Sequence, residues 1–394
     1  MGRVDSFQGG EAPLDREGVT VHLVGQLTPS VLSFLLPAIQ ALAAAGRRQA
    51  LLFVEDGLAS EQLGPVPADI YPVRVHGSDS PLRRCATLFH ALLQFSRERP
   101  IHALHLHGML PALVASRLSR GLSERGVELF LSPHSSRLLG RTVAMYAVLR
   151  SLRRLRPGDG ALRVIVNVQR EVRLLARFSG LDVQLIECPV PSVFFETPRQ
   201  ESARPRLIVC NAERHVAALD GFLRLAVLLN DERLGIEFHA IGTGRTPGRE
   251  ALQAAGVTFL EAPSSSARAE RLGTAWVYVA TWEERGFPIH LAEAMAAGLP
   301  CVALDTETHR GMVVNGETGY LYENVREMLE RIGQLVDSQP LRERLGQSAR
   351  RHAELRFRES DFRKRFAQAV RTRPRAAPPQ SGDDLSPISL KSFP

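Results

Sequence analysis

Lysine is nearly missing from this chain of 394 residues: it occurs at Lys364 and Lys391 alone, so the net charge of +7 rests on arginine. Such a bias follows from a GC-rich genome, and excess positive charge also suits phosphorylated ligands or an anionic lipid surface. Nucleic acid is a poor candidate partner, because aromatics make up only 6% of the residues and no stacking motif or binding module is present. Cysteine is scarce as well. Cys85, Cys188, Cys210 and Cys301 show no Cys-x-x-Cys and no paired spacing, which reads as core thiols in a reducing cytoplasm. No apolar run approaches the length that crosses a bilayer, and residues 1–17 lack the apolar core of a signal peptide, so neither secretion nor a transmembrane helix is expected.

What remains is globular and too long for one core: a hydrophobic content of 44% over this length predicts two domains. Strand and helix patterns alternate, with strands at Val19 to Val24, Gln49 to Val54, Ile101 to Leu106, Glu128 to Leu131, Val164 to Asn167 and Gln184 to Glu187. Helices are expected at Leu32 to Ala45 and Leu82 to Arg97. This pattern is that of an α/β chain with a parallel sheet. Proline breaks it at Pro189, Pro191 and Pro198, the expected interdomain hinge, after which Leu207 to Cys210 begins a second series. That series continues through a helix at Ala217 to Leu229, strands at Ile236 to Ile241 and Thr258 to Leu260, and a helical region from Gln334 to Ala369. Residues 1–17 and 372–394 are rich in proline, serine and charge and are expected to be disordered.

The segment Thr281 to Tyr322 carries the most chemistry. Pro288 suits the first position of a helix and Gly298 with Pro300 stops it, so a helix from Pro288 to Ala297 is predicted. Its positive end faces the loop Arg285-Gly286-Phe287, where unpaired N–H groups can meet a diphosphate and Gly286 permits close approach. Glu293, a turn and a half further in, can accept hydrogen bonds from two ribose hydroxyls. A second turn, Ile241-Gly242-Thr243-Gly244, follows a predicted strand, and glycines there allow the chain to pass close to a phosphate or base. Gly25 ends the first strand, at the edge where open α/β sheets bind ligands. His105, His107 and His134 stand near that edge without a carboxylate or cysteine at ligand spacing, so no metal is expected.

The combination of Gly286-Phe287, Glu293-Ala294-Met295-Ala296-Ala297-Gly298-Leu299-Pro300 and Asn315-Gly316-x-Thr318-Gly319 resembles the retaining glycosyltransferases of family 4. The resemblance implies the GT-B fold, two Rossmann-like domains with parallel sheets facing across a cleft. It implies an acceptor domain over 18–190, a hinge over 191–204, a nucleotide-sugar domain over 205–345 and a helix over 346–371 that crosses back to the first domain. In that family the residue at the place of Glu293 binds the ribose, and the histidine in a segment like Ser132-Pro133-His134 touches the sugar and orients the acceptor. Two departures matter. Arg285 stands where the family has a glutamate that contacts the donor sugar, so either Glu284 reaches the sugar or an anionic sugar or phosphate is favoured. The family's arginine and lysine pair, which neutralises the departing diphosphate, is replaced by Cys210-Asn211-Ala212-Glu213-Arg214-His215. Arg214 is then the candidate cation, with Arg206 and Arg245 as substitutes.

The expected function is transfer of a sugar from a nucleoside diphosphate donor to an acceptor in a bacterial glycan or glycolipid pathway, with retention, in the cytoplasm and without a metal. His134, Arg214 and Glu284 would be catalytic, and Gly25, Gly242, Gly244, Arg285, Gly286, Phe287, Pro288 and Glu293 would hold the nucleotide sugar. A catalytically silent GT-B subunit that stabilises a partner is the alternative, and a sugar-nucleotide epimerase a weaker one. Met145 to Arg156 has an apolar side and an arginine side. It would dock on an anionic membrane bearing a lipid-linked acceptor, or pack on the first domain with its basic face in solvent.

Overall fold

The computed structural model describes residues 18–55, 63, 66–74, 80–118, 121–122, 125–134, 150, 162–178, 180–210, 216–230, 235–242, 249–283 and 286–370. Two parallel sheets organise them. In the first half, β1 (Val19–Val24), β2 (Gln49–Glu55), β3 (Asp69–Arg74), β4 (Ile101–His107), β5 (Glu128–Ser132), β6 (Leu162–Val166) and β7 (Leu181–Leu185) form a seven-stranded sheet in the order β3-β2-β1-β4-β5-β6-β7. The central strand β1 is buried along its whole length, as a parallel strand covered on both faces must be. The order reverses between β1 and β4, which opens a crevice at their carboxyl ends.

In the second half, β8 (Arg206–Cys210), β9 (Glu237–Gly242), β10 (Val257–Glu261), β11 (Val277–Ala280), β12 (Cys301–Leu304) and β13 (Gly319–Tyr322) form a six-stranded sheet in the order β10-β9-β8-β11-β12-β13. Its reversal falls between β8 and β11, so the segment after Ala280 emerges at the second crevice. The fold therefore matches the expected pair of Rossmann-like halves.

Several elements differ from the sequence reading in instructive ways. Helix α1 (Pro29–Ala44) starts three residues early, because Thr28 Oγ1 accepts from the N–H of Val31 at 3.2 Å and Pro29 fits the first turn. Strand β3 was not expected: it is mostly exposed and contains Pro72, features tolerated because it lies at the sheet edge. Helix α2 (Pro81–Glu98) agrees within a residue at each end, and α3 (Met109–Arg117) follows β4 at once through Gly108, whose φ of 98° makes the turn.

Two short helices, α4 (Gln169–Leu175) and α5 (Val193–Glu196), lead through the hinge. Beyond it run α6 (Val216–Asn230), α7 (Arg249–Ala254), α8 (Ser265–Gly273), α9 (Ile289–Ala296) and α10 (Glu307–Arg310). The helical region from Gln334 proves to be the end of α11 (Val325–Asp337), then α12 (Gln339–Phe357) and α13 (Glu359–Ala369). It is interrupted at Ser338, whose hydroxyl caps α12, and at Arg358. Helix α13 lies on α1 of the first half: Phe362 and Phe366 meet Phe34 edge-on at 5.3 and 5.7 Å. The crossing is pinned by the Val190 N–H to the Phe357 carbonyl at 2.8 Å, by Arg163 to the Ala369 carbonyl at 3.1 Å, and by the ion pair of Arg356 with Glu187. One buried apolar cluster thus runs from Phe34 through Val190 and Phe194 to Phe287 and Phe366.

Candidate active site

Helix α9 stands at the reversal of the second sheet, entered from β11 through residues 281–288. Pro288 sits one place before the helix rather than at its first turn (φ −80°, ψ 74°); no side chain among the described residues caps the N-terminus, and although the Ile289 N–H bonds the Phe287 carbonyl at 2.9 Å, this end of the helix keeps its positive potential. Gly298, with φ of 79°, closes the helix as expected. Phe287 is buried and meets Phe357 edge-on at 5.5 Å. It packs the loop onto the crossing helices rather than facing a ligand.

Glu293 is 1% exposed and fully engaged within the protein. Arg268 of α8 binds it with both arms, Nε to Oε2 at 2.7 Å and Nη2 to Oε1 at 2.6 Å, and His290 Nδ1 lies 2.9 Å from Oε2. Burial raises the carboxyl pKa, but Arg268 and His290 outweigh it and hold the group down at about 2. Glu293 is therefore a permanent anion at neutral pH, with both oxygens already in use. A ribose at this place would share the carboxylate with a guanidinium. Sequence reading missed Arg268; its signal was the Ser264 cap, which accepts from the N–H of Ala267 at 3.1 Å and starts the helix that carries the arginine.

Glu283, just ahead of the loop, pairs with Arg170 of α4 at 3.1 Å, and Arg173 pairs with Glu307 of α10 at 3.2 Å. These bonds bridge the two halves beside the crevice. Arg214, Gly244, Glu284 and Arg285, together with Arg245 and all but Arg150 of the segment 145–156, lie outside the described residues. Arg206 is not available as a substitute for the missing cation. It opens β8, at the amino edge away from the crevice, and is paired there with Glu237 at 2.6 Å.

In the first half the histidines converge, and the structure adds one that the spacing did not reveal. His22, from the middle of β1, joins His105 and His107 of β4, with ligand atoms of all three within 4.8 Å of one another. His22 Nδ1 lies 3.1 Å from His107 Nε2, and His107 Nδ1 lies 2.9 Å from His134 Nε2. His105 Nε2 is 2.8 Å from Ser132 Oγ. Burial pushes the His22 and His134 pKa values down to about 4 and those of His105 and His107 well below the ordinary range, so the rings are neutral at pH 7. His134 has a φ of 54°, the one positive value at a non-glycine among the described residues. Its Nδ1 is buried and makes no well-formed hydrogen bond among the described residues, although the Asn167 side chain lies close enough to favour the charged ring. Nearby, Glu171 of α4 accepts from the N–H of Asn167 at 3.2 Å and is pushed by burial up to about 7.

The remaining expected ligand contacts are set by packing. Gly25 does end β1 at the crevice, but it is buried, and an added methyl would meet Pro111 Cδ at 3.1 Å. Gly242 is buried at the end of β9, its carbonyl accepting from Ala262 at 3.0 Å. No disulfide joins the four cysteines, and Cys188, Cys210 and Cys301 are buried.

Two parallel Rossmann-like sheets with facing crevices and a C-terminal helix that returns to the first half define the GT-B architecture of glycosyltransferases. Residues 205–338, in the second half, match the family model described as Glycosyl transferases group 1. Over 112 residues the chain is 35% identical to spore coat protein SA of Bacillus subtilis (strain 168), a match spanning 27% of this chain and 29% of that protein. Among solved structures, sucrose-phosphate synthase from Thermosynechococcus elongatus superposes with a TM-score of 0.68 at 16% identity, covering 89% of this chain and 98% of that one. Anabaena HepE in complex with UDP and glucose superposes with a TM-score of 0.67 at 15% identity, covering 89% and 99%.

Proposed function

We propose that this protein is a retaining glycosyltransferase that moves a sugar from a nucleoside diphosphate to a hydroxyl of a bacterial glycan or lipid-linked acceptor. The observation that carries the reading is the uncapped start of α9 at the sheet reversal, with a buried anionic Glu293 behind it. A diphosphate at Gly286 and Pro288 would meet the first-turn N–H groups of α9 beyond Ile289, and charge on the departing diphosphate would build where the helix dipole is positive. The ribose would lie toward Glu293, and His134 would face the sugar or the acceptor from the first half. The HepE structure, whose partners are UDP and glucose, supports a uridine nucleotide as the first donor to try. The chemistry needs no metal in this scheme, and the protein would work in the cytoplasm, at the inner membrane face if its acceptor is lipid-linked.

Calorimetric titration with nucleoside diphosphates, followed by hydrolysis of a panel of nucleotide sugars, tests this. Glu293→Gln should weaken nucleotide binding by about 1–3 kcal/mol. Unchanged affinity in the folded variant removes Glu293 from the site. A second reading, a silent GT-B subunit, is favoured by one observation: both Glu293 oxygens are satisfied internally by Arg268 and His290. Absence of nucleotide binding, with wild-type folding, would select it.

A further inference from the structure

Three of the buried rings, His22, His107 and His134, form one hydrogen-bonded chain with Gln49, and its direction can be read from its first link. The Ile39 carbonyl of α1 can only accept, so the Gln49 atom 2.9 Å from it is the amide nitrogen. The other amide atom, Oε1, then faces His22 Nε2 at 3.0 Å and can only accept, so His22 carries its proton on Nε2. A neutral imidazole has one N–H. His22 Nδ1 is therefore bare and accepts from His107 Nε2, which leaves His107 Nδ1 bare to accept from His134 Nε2. Reversing any link would set two lone pairs or two protons face to face.

We propose that Gln49 is a positioning residue: through His22 and His107 it fixes His134 as the Nε2–H tautomer, leaving a bare Nδ1 lone pair at the carboxyl end of β5 as the acceptor for a hydroxyl. Three independent features meet at that atom. Among the described residues it is buried with no well-formed hydrogen bond, the Asn167 side chain lying beside the ring; its residue holds a left-handed backbone that a non-glycine rarely adopts, and it terminates the chain from Gln49. A bare lone pair on an uncharged ring accepts from an alcohol and offers nothing to a carboxylate or phosphate. The hydroxyl belongs to the transferred sugar or to the acceptor, an assignment that rests on the glycosyltransferase reading; the tautomer does not. A metal held by His22, His105 and His107 would need the lone pairs of His22 Nδ1 and His107 Nε2 together, so that metal and the proton of their 3.1 Å contact are mutually exclusive and the measurement below separates them.

Nitrogen-15 spectra of the full chain labelled at histidine decide the matter without any nucleotide sugar. The wild type at neutral pH should show His134, assigned by loss of its signals in His134→Gln, with Nε2 protonated and Nδ1 unprotonated. Nitrogen–nitrogen couplings should appear across the His22–His107 and His107–His134 contacts. Protonated Nδ1 at His134, missing couplings, or ring signals that shift when a chelator is added would overturn the proposal. In Gln49→Met the His134 nitrogens should move to the averaged positions of a free imidazole, while His105→Asn, outside the chain, should leave them in place. An unchanged His134 spectrum in folded Gln49→Met would strip Gln49 of its role. If that variant does not fold, the wild-type couplings settle the question. The expected kinetic counterpart is a kcat lowered by about tenfold or more in Gln49→Met with donor affinity unchanged. The stated tautomer without any transferase activity would leave the relay standing and fell the sugar assignment alone.

Discussion

At the scale of single residues, the pair Arg268 and Glu293 decides how the second half tolerates change. Arg268→Met would leave a carboxylate buried without its cation, a loss of about 3–5 kcal/mol, whereas the double variant Arg268→Met with Glu293→Gln should recover much of it. Urea unfolding of the two variants measures the difference. The pH dependence has a definite sign. The folded pKa of about 2 lies below the ordinary 4.5, so the contribution, about 3 kcal/mol, is present above pH 4.5 and is lost as pH falls toward 2. Glu293→Gln should remove that slope from the stability profile. In the sequence, Glu293 was legible because a glutamate inside an Ala-Met-Ala-x-Gly-x-Pro context is distinctive. Arg268 was not, because one arginine among many in an amphipathic helix looks like solvated surface until the partner helix is placed beside it. His22 escaped for a similar reason: its neighbours 105 and 107 lie some eighty positions away and meet it only through strand pairing.

At the scale of elements, the close crossing of α12 over the end of α9 is possible because glycine stands on both sides of it. A methyl at Gly346 would overlap the Gly298 carbonyl oxygen, so Gly346→Ala should push the helices apart at a cost of about 1–3 kcal/mol. Gly298→Ala strains a φ of 79° and should cost about 1–2 kcal/mol. Thermal unfolding of both variants checks the ranking. Strands read well from sequence because buried parallel strands are continuous apolar runs, and β1 was placed to the residue. What failed was whatever lacks that signature: the exposed edge strand β3, and α3, where helix follows strand through one glycine. Helix starts were late wherever a Thr-Pro or Ser-Pro cap preceded the first apolar residue, as at Thr28 and Ser80.

At the scale of the whole molecule, two features tie the halves together: ion pairs beside the crevice and the returning helix. Exposed pairs such as Arg170 with Glu283 and Arg173 with Glu307 contribute about 0.2–1 kcal/mol each and are screened by salt. Replacing Arg170 and Arg173 by Ala should raise the radius of gyration at low salt to the value the wild type reaches at high salt, which small-angle scattering measures. The buried histidines set a separate acid limit. The folded pKa of His22, about 4, lies below its ordinary 6.5, so an unfolded chain takes up the proton first, and stability is full above 6.5 and falls toward pH 4. His22→Gln should make that part of the profile less steep, as followed by circular dichroism, with His134, shifted to the same extent, and His105 and His107 keeping the rest of the slope. Helix α13 has a temporal consequence as well. The first half leaves the ribosome first, yet Phe34 and the ring of His105 are covered by Phe362 and Phe366, near the end of the described chain. During synthesis that apolar face has to await its cover for the length of the entire second half, so the first half completes its core only once the last turns of helix have been made.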